Sequence, residues 1–526
     1  MRITIAQLNP KIADFKKNWE DINKSLQEAH HHHSQFVIFP ELTCIGYPAK
    51  DLLFKKHILQ KNNELLEKIQ RASERYPNLA IVVGALKETH NRRYNAAFVI
   101  QKGKILFYCH KSLLPNDDVF DEKRYFDSQE NNTLFTLNGQ KIALTICEEA
   151  WCKQMNESPL FKKDFPKPDL IINLSASPYY LNKEIWRHKR AQDIIRHHGC
   201  PFIFVNQVGG QDDLIFDGNS FVMNSQGKLT HRLPAFESKI EHLNLNNETV
   251  IKQNKQTNEE KLVNALCLGI KDYFHKTGFS KATLGLSGGI DSALCYVLTC
   301  MVLGADNVQA IMLPSTYTSQ ESIRDAKAMT DIQKQKLIEL SIQESYQSLC
   351  KTLSGILDNS KITLAHENIQ ARLRGLMLMA YSNHHQALLI NTSNKSEIAS
   401  GYSTLYGDLC GALSPIGDLT KKQVYDLAIF LNKNNKQVIP DYVIERAPSA
   451  ELKPNQKDQD SLPEYEIIDQ TLHCILEDKP HHNPTLEKKL FLNEFKRQQA
   501  PTILKVSPIA FGSGWRFPIT ANYGNN

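Results

Sequence analysis

The chain has 526 residues, too many for one ordinary domain, so two or three domains are expected. Its composition, 41% hydrophobic and 23% charged, is typical of a soluble globular protein. A formal net charge of +5 is too small at this length to indicate a nucleic-acid partner, and no apolar run is long enough to cross a bilayer. The 11 cysteines form no CxxC pair, which favours a reducing compartment. We therefore expect a cytoplasmic protein with neither nucleic-acid nor membrane partners.

The first 245 residues alternate short apolar strands with helical stretches such as Asn18–His33. Several strands are followed at once by a polar residue, which is typical of a buried strand whose end opens into a site. The predicted strands are Ile3–Gln7, Phe36–Phe39, Ala80–Gly84, Ala96–Gln101, Ile142–Ile146, Leu170–Leu174 and Phe202–Asn206. Such repeated alternation predicts a layered α/β domain.

A polar run, NNETVIKQNKQTN, interrupts this pattern and predicts a linker. We assign residues 1–248 to the first domain, 249–258 to the linker and 259–526 to the second domain. The second domain opens with a helix over Glu259–Lys276. Its predicted strands are Ala282–Leu286, Val308–Leu313 and Ala387–Asn391. The recurring βα units predict a doubly wound, Rossmann-like parallel sheet.

Three residues of the first domain suggest catalysis. Glu41 follows the strand segment FVIFP, and Cys147 follows ALTI, so both lie where parallel sheets build active sites. Lys111 precedes SLLPN. A cysteine nucleophile needs a base to take its proton and a cation to favour the thiolate. We expect Glu41 to act as the base and Lys111 to hold the thiolate and then the oxyanion.

The flanking segments resemble the nitrilase superfamily and, within it, the glutaminase domain of NAD synthetases. The matching strings are FPELTCIGYPAKDLL, HKSLLPN, VFDEKRYF, ICEEAW, NLSASPYY and VNQVGGQDDLIFDGNSFV. This resemblance implies a four-layer αββα fold and hydrolysis of a side-chain amide through a cysteine thioester. It also implies that Ser177 and Lys183 bind glutamine. Asp117 stands where the family usually has a glutamine-contacting tyrosine, and its carboxylate could hold the ammonium group of the substrate.

A glycine-rich segment of the second domain, LGLSGGIDSAL, follows a strand and opens a helix. Its backbone N–H groups and the positive end of the helix favour an anion, yet it lacks the GxxxxGK[ST] pattern of a P-loop. It resembles the pyrophosphate loop of N-type ATP pyrophosphatases, which adenylate a substrate. The resemblance implies ATP binding and Mg²⁺ binding through Asp291. The expected ATP-binding residues are Gly285, Leu286, Ser287, Gly288, Gly289, Ile290, Asp291, Ser292 and Thr392.

Four sequence segments further along the chain resemble the NAD synthetase family within that group. The strings are ENIQARLRGLMLMAYSN, INTSNKSEIASGYSTLYGDLCGAL, RAPSAELKPNQKDQDSLPEYEIID and FKRQQAP. The resemblance implies ATP-dependent amidation of deamido-NAD to NAD through an adenylated intermediate, with ammonia taken from glutamine and AMP, pyrophosphate and glutamate as the other products. It also implies a second Mg²⁺ ligand, Glu397, and a further magnesium or substrate contact, Asp408. The expected deamido-NAD-binding residues are Asn368, Glu397, Tyr402, Ser403, Thr404, Leu405 and Lys496.

One further departure concerns Ser393, where the family commonly has glycine; its Cβ is expected to crowd a ligand or to require a strained backbone. The stretch after Ala328, MTDIQKQKLIEL, is less family-like, and for this reason Ser319 and Glu321 are not counted among the expected site residues. Because ammonium is not nucleophilic, we hypothesise a protected passage for ammonia between the two sites. We also expect a homo-oligomer.

Two other functions stay open at this level. A relative of GMP synthetases would keep the phosphate loop but carry a different glutaminase and a different C-terminus. A catalytically silent nucleotide sensor or scaffold would keep the fold alone, although Glu41, Lys111, Cys147 and the whole SGGIDS loop are present.

Overall fold

The computed structural model describes residues 1–129, 132–152, 154–246, 249–251, 256–358, 360–434, 438–454, 456–460 and 462–521. The end of the expected first domain, residue 248, and residues 252–255 of the expected linker lie outside the described residues. The chain forms two compact units, Met1–Gln256 and Thr257–Asn526. In the described part of the chain, no helix has both the length and the apolarity needed to span a membrane.

The first unit contains fourteen strands and four α-helices within its described residues. The strands are β1 (Arg2–Gln7), β2 (Phe36–Ile38), β3 (Ala80–Thr89), β4 (Arg92–Gln101), β5 (Lys104–His110), β6 (Leu134–Leu137), β7 (Gln140–Ile146), β8 (Leu170–Ser175), β9 (Phe202–Asn206), β10 (Val208–Gln211), β11 (Leu214–Asp217), β12 (Phe221–Met223), β13 (Leu229–Arg232) and β14 (Lys239–Asn244). The helices are α1 (Phe15–His31), α2 (Lys56–Ser73), α3 (Glu122–Tyr125) and α4 (Lys183–His198).

These strands form two six-stranded sheets and one hairpin, β10-β11. The first sheet has the order β14-β1-β2-β3-β4-β5, and the second has the order β13-β12-β9-β8-β7-β6. In each sheet three inner strands are parallel, β1 to β3 in the first and β7 to β9 in the second. The carboxyl ends of these inner strands carry Glu41 and Cys147.

Alternation along β3 shows how the layers are built. Ala80 and Val82 pack into the core shared by the two sheets, whereas Ile81 and Val83 pack with α1 and α2 on the other face. Helix α1 buries Ile22, Leu26 and Ala29 at helical spacing. Helix α4 joins the core of the second sheet through Ala191, Ile194 and Ile195. The unit is therefore an αββα sandwich, and the expected fold class is confirmed.

The second unit contains six strands and eleven α-helices within its described residues. The strands are β15 (Ala282–Gly285), β16 (Val308–Met312), β17 (Ile338–Glu339), β18 (Leu388–Leu389), β19 (Leu413–Ser414) and β20 (Thr502–Ile503). The helices are α5 (Asn258–Thr277), α6 (Ile290–Leu303), α7 (Gln320–Ile332), α8 (Gln343–Thr352), α9 (Leu364–His385), α10 (Lys395–Ser400), α11 (Lys421–Asn434), α12 (Asp441–Glu445), α13 (Tyr465–Leu476), α14 (Pro484–Leu492) and α15 (Glu494–Arg497).

Its main sheet is parallel and has the order β17-β16-β15-β18. The strand order reverses between β15 and β18, and open α/β sheets bind ligands at such a switch point, outside the carboxyl ends of the strands. The glycine-rich segment follows β15, and the NTSNKSE segment follows β18. This sheet confirms the doubly wound class expected for the second half.

The ten predicted strands are all present; β9 has the predicted bounds, and the other nine have shifted ends. β3 continues to Thr89, ten residues in all, while the last predicted strand shortens to Leu388–Leu389. The antiparallel edge strands are absent from the prediction. β14, for example, is only partly buried along its length, so it has no clear apolar pattern.

Candidate active sites

Cys147 directly follows β7, and its backbone adopts φ +43°, a left-handed conformation that is costly for a residue with a side chain. The surrounding hydrogen bonds hold it there. Asn173 Nδ2 donates to the Cys147 carbonyl oxygen at 3.3 Å. Glu149 accepts from the Ile146 N–H at 2.7 Å and from both the N–H and the hydroxyl of Ser112 at 2.7 Å. This carboxylate thus joins the end of β7 to the residue after Lys111.

Glu41 lies in the turn after β2 and is 1% exposed. Its Oε1 accepts from Lys111 Nζ at 2.9 Å and from Asn95 Nδ2 at 2.6 Å, and its Oε2 accepts from the Ala176 N–H at 2.8 Å. Gly84 of β3 makes room for this turn, because a Cβ there would lie 2.4 Å from the Leu42 nitrogen. The carboxylate is therefore fixed from three sides.

Lys111 bridges two buried carboxylates. Besides Glu41, its Nζ donates to Glu122 Oε1 at 2.8 Å, and the same oxygen accepts from the Tyr47 hydroxyl at 2.8 Å. Burial alone lowers the pKa of Lys111, but the charges of Glu122 and Glu41 raise that pKa well above its usual value. Burial raises the pKa of Glu122 to about 7, against the opposing effect of Lys111. The lysine is thus a permanent buried cation.

Burial raises the pKa of the Cys147 thiol, and the Glu41 charge raises it further, while Lys111 lowers it by less. Lys111 therefore favours the thiolate, but burial and the Glu41 charge have the larger effects on the pKa of the thiol. This arrangement suits attack and proton transfer in one step.

The three expected glutamine-binding residues lie in the loop after β8, at the start of α4 and in the segment after Lys111. Ser177 lies just beyond β8, is 3% exposed and follows Ala176, whose N–H holds Glu41. Lys183 begins α4, and its Nζ donates to the Pro178 carbonyl oxygen at 2.8 Å. Asp117 is exposed in the segment between Lys111 and Glu122, where its carbonyl oxygen accepts from the Phe120 N–H at 3.0 Å.

In the second unit, the glycine-rich segment closes on itself between β15 and α6. Ser292 Oγ accepts from the Ser287 N–H at 3.2 Å and donates to the Gly289 carbonyl oxygen at 3.0 Å. Gly288 has φ +80°, and a Cβ there would lie 2.4 Å from the Ser322 carbonyl oxygen. The loop is therefore shaped before any ligand binds, at the positive end of the fourteen-residue helix α6.

Asp291, Glu397 and the buried Lys421 come together behind this loop. Lys421 Nζ lies 2.5 Å from Asp291 Oδ2 and 3.4 Å from Glu397 Oε1. Asn394 Nδ2 donates to Asp291 Oδ1 at 2.8 Å. Burial, and next the Asp291 charge, raise the pKa of Glu397 to about 8, although Lys421 opposes the rise. Two carboxylates thus share one buried lysine beside the loop.

A cleft of about 310 Å³ lies in front of this group. Most of the expected ATP-binding residues line it, together with Glu397, Tyr402 and Asp408. Two arginines also line it: Arg446 Nη2 donates to the Gly288 carbonyl oxygen at 3.0 Å, and Arg374 Nε donates to the Leu313 carbonyl oxygen at 2.9 Å. Burial raises the pKa of Asp408 to about 6, and burial lowers that of Arg374 to about 10.

The other residues expected at deamido-NAD form a hydrogen-bonded cluster next to Tyr402. Thr404 Oγ1 donates to Asn368 Oδ1 at 2.9 Å. Lys496 Nζ donates at 2.8 Å to the carbonyl oxygens of Gly401 and Ser403. The Leu405 carbonyl oxygen accepts from Arg372 Nε at 3.2 Å. Tyr402 itself donates to Asp458 Oδ1 at 3.3 Å.

Ser393 lines the cleft, where crowding of a ligand by its Cβ stays a prediction. It is absent from the described residues with positive φ, so the strained backbone expected there is not found. Its N–H donates to Asn391 Oδ1 at 3.0 Å, and its hydroxyl lies 3.5 Å from the Asp408 carbonyl oxygen. Ser319 caps α7, and its hydroxyl donates to Glu451 Oε1 at 2.7 Å.

Sequence reasoning missed several residues of both sites. In the first unit these are Tyr47, Asn95 and Glu122; in the second they are Arg374, Lys421, Arg446 and Asp458. Tyr47 and Glu122 lie inside strings that carry the resemblance, which is the signal that could have found them. Lys421 has no such signal, because its partner Asp291 is 130 positions away.

The two units therefore define a class: an enzyme with a cysteine amide-hydrolysing domain and a nucleotide-binding domain of the ATP pyrophosphatase type. The carbon-nitrogen hydrolase family matches residues 2–253, and the NAD synthase family matches residues 262–505. A glutamine-dependent NAD(+) synthetase from Synechocystis sp. is 40% identical, and the match covers 98% of each chain. The chain belongs to the family of glutamine-dependent NAD(+) synthetases, which are ligases.

Solved structures agree with this assignment. The glutamine-dependent NAD+ synthetase from Acinetobacter baumannii, determined in complex with ADP, is 32% identical with a TM-score of 0.79, and the match covers 100% of this chain and 99% of that one. The enzyme from Cytophaga hutchinsonii, 21% identical, shares the fold with a TM-score of 0.82, and the match covers 99% of this chain and 98% of that one.

Proposed function

We propose that this chain amidates deamido-NAD to NAD with ATP, using ammonia released from glutamine, and yields AMP, pyrophosphate and glutamate. The observation that carries the proposal is that one chain holds both reaction centres with their charged groups assembled. In the first unit Lys111 contacts two carboxylates at 2.9 and 2.8 Å beside Cys147. In the second, a closed anion-binding loop lies beside Asp291 and Glu397.

In the first reaction, Cys147 Sγ attacks the side-chain carbonyl carbon of glutamine while Glu41 accepts the thiol proton. Lys111 stabilises the oxygen as negative charge develops on it. Glu41 then returns the proton to the departing nitrogen, so that the C–N bond breaks, ammonia leaves and a thioester stays. The same carboxylate activates a water molecule that hydrolyses the thioester to glutamate. Asp117, Ser177 and Lys183 bind the amino-acid end of glutamine in this proposal.

The charge balance of the first site explains why Lys111 needs two partners. Between two carboxylates, the ammonium stays protonated, so it acts as a fixed positive charge and not as an acid. Glu122 takes part of the attraction of Lys111, so two carboxylates share the cation and it is not paired with Glu41 alone. Asn95 and Ala176 hold Glu41 in place during the transfer.

In the second reaction, the loop of residues 285–292 binds the phosphates of ATP while the carboxylate of deamido-NAD attacks the α-phosphorus. Pyrophosphate leaves, and the product is a mixed anhydride. Ammonia then attacks its carbonyl carbon, the bond to the AMP oxygen breaks, and AMP and a proton leave as the amide forms. The loop N–H groups and the helix dipole of α6 stabilise the departing pyrophosphate. Thr392 contacts ATP, and Asn368, the 402–405 segment and Lys496 bind deamido-NAD in this proposal.

Mg²⁺ fits the residues present. Asp291 and Glu397 are hard oxygen donors, and the pKa of Glu397, raised by burial and then by Asp291, reflects negative charge that a divalent cation relieves. Among the described residues, no group of three or more His, Cys, Asp and Glu side chains is placed to hold a metal ion. Substrate phosphate oxygens would complete the ligand set, as is usual for Mg²⁺. When bound, the ion supplies charge neutralisation on the phosphates.

The decisive experiment separates the two nitrogen sources. Cys147→Ala should abolish NAD formation with glutamine and leave formation with ammonium chloride within about twofold, because the nucleophile is needed only to release ammonia. Cys200→Ala, another buried cysteine of the first unit, is the matched control. Equal loss with both nitrogen sources contradicts the division of labour.

A second measurement tests the acceptor. Pyrophosphate release from ATP should depend on deamido-NAD and not on XMP, which a GMP synthetase relative would use. The domain limits of residues 1–248 and 259–526, the assembly into a homo-oligomer and the cytoplasmic location belong to the same proposal.

A further inference from the structure

The first unit contains a buried arginine that the reaction above does not use. Arg187 of α4 is 1% exposed. Its Nη1 donates to both carboxylate oxygens of Asp217, at 2.8 and 2.9 Å. Its Nη2 donates to the Ser177 carbonyl oxygen at 2.8 Å and to Ser177 Oγ at 3.1 Å. A buried charge held this firmly fixes the groups that it touches.

Ser177 is also held through its backbone. Its N–H donates to Asn206 Oδ1 at 2.8 Å, and its carbonyl oxygen also accepts from Asn206 Nδ2 at 3.3 Å. A guanidinium group only donates hydrogen bonds, so Ser177 Oγ must act as the acceptor toward Arg187. The hydroxyl proton therefore points away from the arginine, and Ser177 is a hydrogen-bond donor toward its remaining open side.

We propose that Arg187, paired with Asp217, is a positioning residue that makes Ser177 donate its hydroxyl proton to the α-carboxylate of glutamine. This inference rests on the proposed glutaminase function. A carboxylate is purely an acceptor and the α-ammonium purely a donor, so a hydroxyl with this fixed polarity distinguishes the two ends.

Two neighbouring contacts support the same assignment. Lys183 lies one helical turn before Arg187, and both donate to the Pro178 carbonyl oxygen, at 2.8 and 3.4 Å. A cation thus lies beside the same turn and favours an anionic group there. The residue before Ser177 is Ala176, whose N–H holds Glu41 Oε2 at 2.8 Å. The segment that Arg187 fixes therefore links substrate recognition to the catalytic base.

The test is a double-mutant cycle measured by glutamine hydrolysis. Arg187→Lys keeps the positive charge but loses the planar guanidinium group, whose two nitrogens contact Asp217 and Ser177 at the same time. Both Arg187→Lys and Ser177→Ala should raise the KM for glutamine about tenfold or more and change kcat by less than about threefold, as expected for a hydrogen bond to a charged group. In the Arg187→Lys background, Ser177→Ala should cost less than about threefold, because the hydroxyl has lost its fixed polarity. An unchanged cost of Ser177→Ala in that background overturns the proposal.

A second substrate identifies the group that Ser177 contacts. γ-Aminobutyramide is glutamine without the α-carboxylate, so its kcat/KM should be insensitive to Ser177→Ala; equal losses on both amides overturn the proposal. If Arg187→Lys does not fold, Asp217→Asn takes its place in the cycle. Arg196→Lys, on the same helix but 76% exposed beside Asp193, is the matched control and should behave as the wild type. Failure of the wild-type protein to hydrolyse glutamine at all refutes the proposed function itself.

Discussion

Replacing Lys111 with methionine removes the cation that two buried carboxylates share. At an effective dielectric constant of about 20, opposite charges 2.8 Å apart attract by about 6 kcal/mol before desolvation is counted. Breaking a buried pair by removing one partner costs a net amount of about 3–5 kcal/mol. We therefore expect Lys111→Met to lower the free energy of unfolding of the first unit by about 3–5 kcal/mol at pH 9.

The loss should shrink at lower pH, since a carboxyl group can take up a proton instead. Protonating a glutamate with the usual pKa of 4.5 costs about 6 kcal/mol at pH 9 but only about 2 kcal/mol at pH 6. The pKa of Glu122, already about 7 because of burial, rises further when Lys111 no longer lowers it. A raised carboxyl pKa gives stability that is full below 4.5 and is lost as the pH rises through the folded value. The destabilisation at pH 6 is thus limited to about 2 kcal/mol.

The assay is urea unfolding followed by tryptophan fluorescence at pH 6 and pH 9. Three of the four tryptophans, Trp19, Trp151 and Trp186, lie in the first unit, so a Trp515→Phe background reports that unit alone. Adding Glu122→Gln to Lys111→Met should recover part of the stability at pH 9, because a neutral amide needs no cation. A loss independent of pH would falsify this reasoning. The exposed pair partner Lys24, changed to methionine, is the control and should cost less than about 1 kcal/mol.

Three further predictions concern individual contacts. In ammonia-supported synthesis, the apparent affinity for Mg²⁺ should fall by up to about tenfold per pH unit below pH 8. The reason is that a proton competes with the ion for Glu397, whose pKa is about 8. Glu397→Gln should remove this pH dependence. Gly84→Ala should reduce glutamine-supported synthesis at least about tenfold and leave ammonia-supported synthesis unchanged, because the added Cβ displaces the turn that contains Glu41. Gly355→Ala is the control: its Cβ meets nothing within 4 Å, so neither activity should change. Arg446→Met should raise the KM for ATP about tenfold by freeing the Gly288 carbonyl oxygen, and a KM within twofold of wild type contradicts that role.

The sequence alone predicted the residues that follow the buried strands. Cys147 and Glu41 stand directly after buried strands, and a strand end places its next residue at the sheet edge whatever the rest of the chain does. The partners of these residues are not local. Asn95 lies within β4 and reaches Glu41 across 54 positions, and Lys421 reaches Asp291 across 130. No periodicity encodes such pairs, so they become visible only when the sheet order is known.

Resemblance and physical pattern also differ in what they supply. The strings around Cys147 named the reaction type, but the protonation state of the thiol depends on burial and on the Glu41 charge, which no string contains. Ser393 is a second example: the family commonly has glycine at this position, yet the backbone of Ser393 does not adopt a positive φ. A motif gives the identity of a group, while the packing around it sets its charge.

The two sites have a similar arrangement of charged side chains but differ in how far their carboxylates are exposed. In each unit a buried lysine contacts two carboxylates: Lys111 with Glu41 and Glu122, and Lys421 with Asp291 and Glu397. The carboxylates of the first site are 0 and 3% exposed, so they are shielded from dissolved ions and share Lys111 as their cation. Those of the second are 17 and 18% exposed. They line the cleft, so they are accessible to charged groups that enter it. The enclosed carboxylates of the first site suit repeated proton transfer. The cleft-lining carboxylates of the second site suit the binding of charged groups that arrive with the substrate.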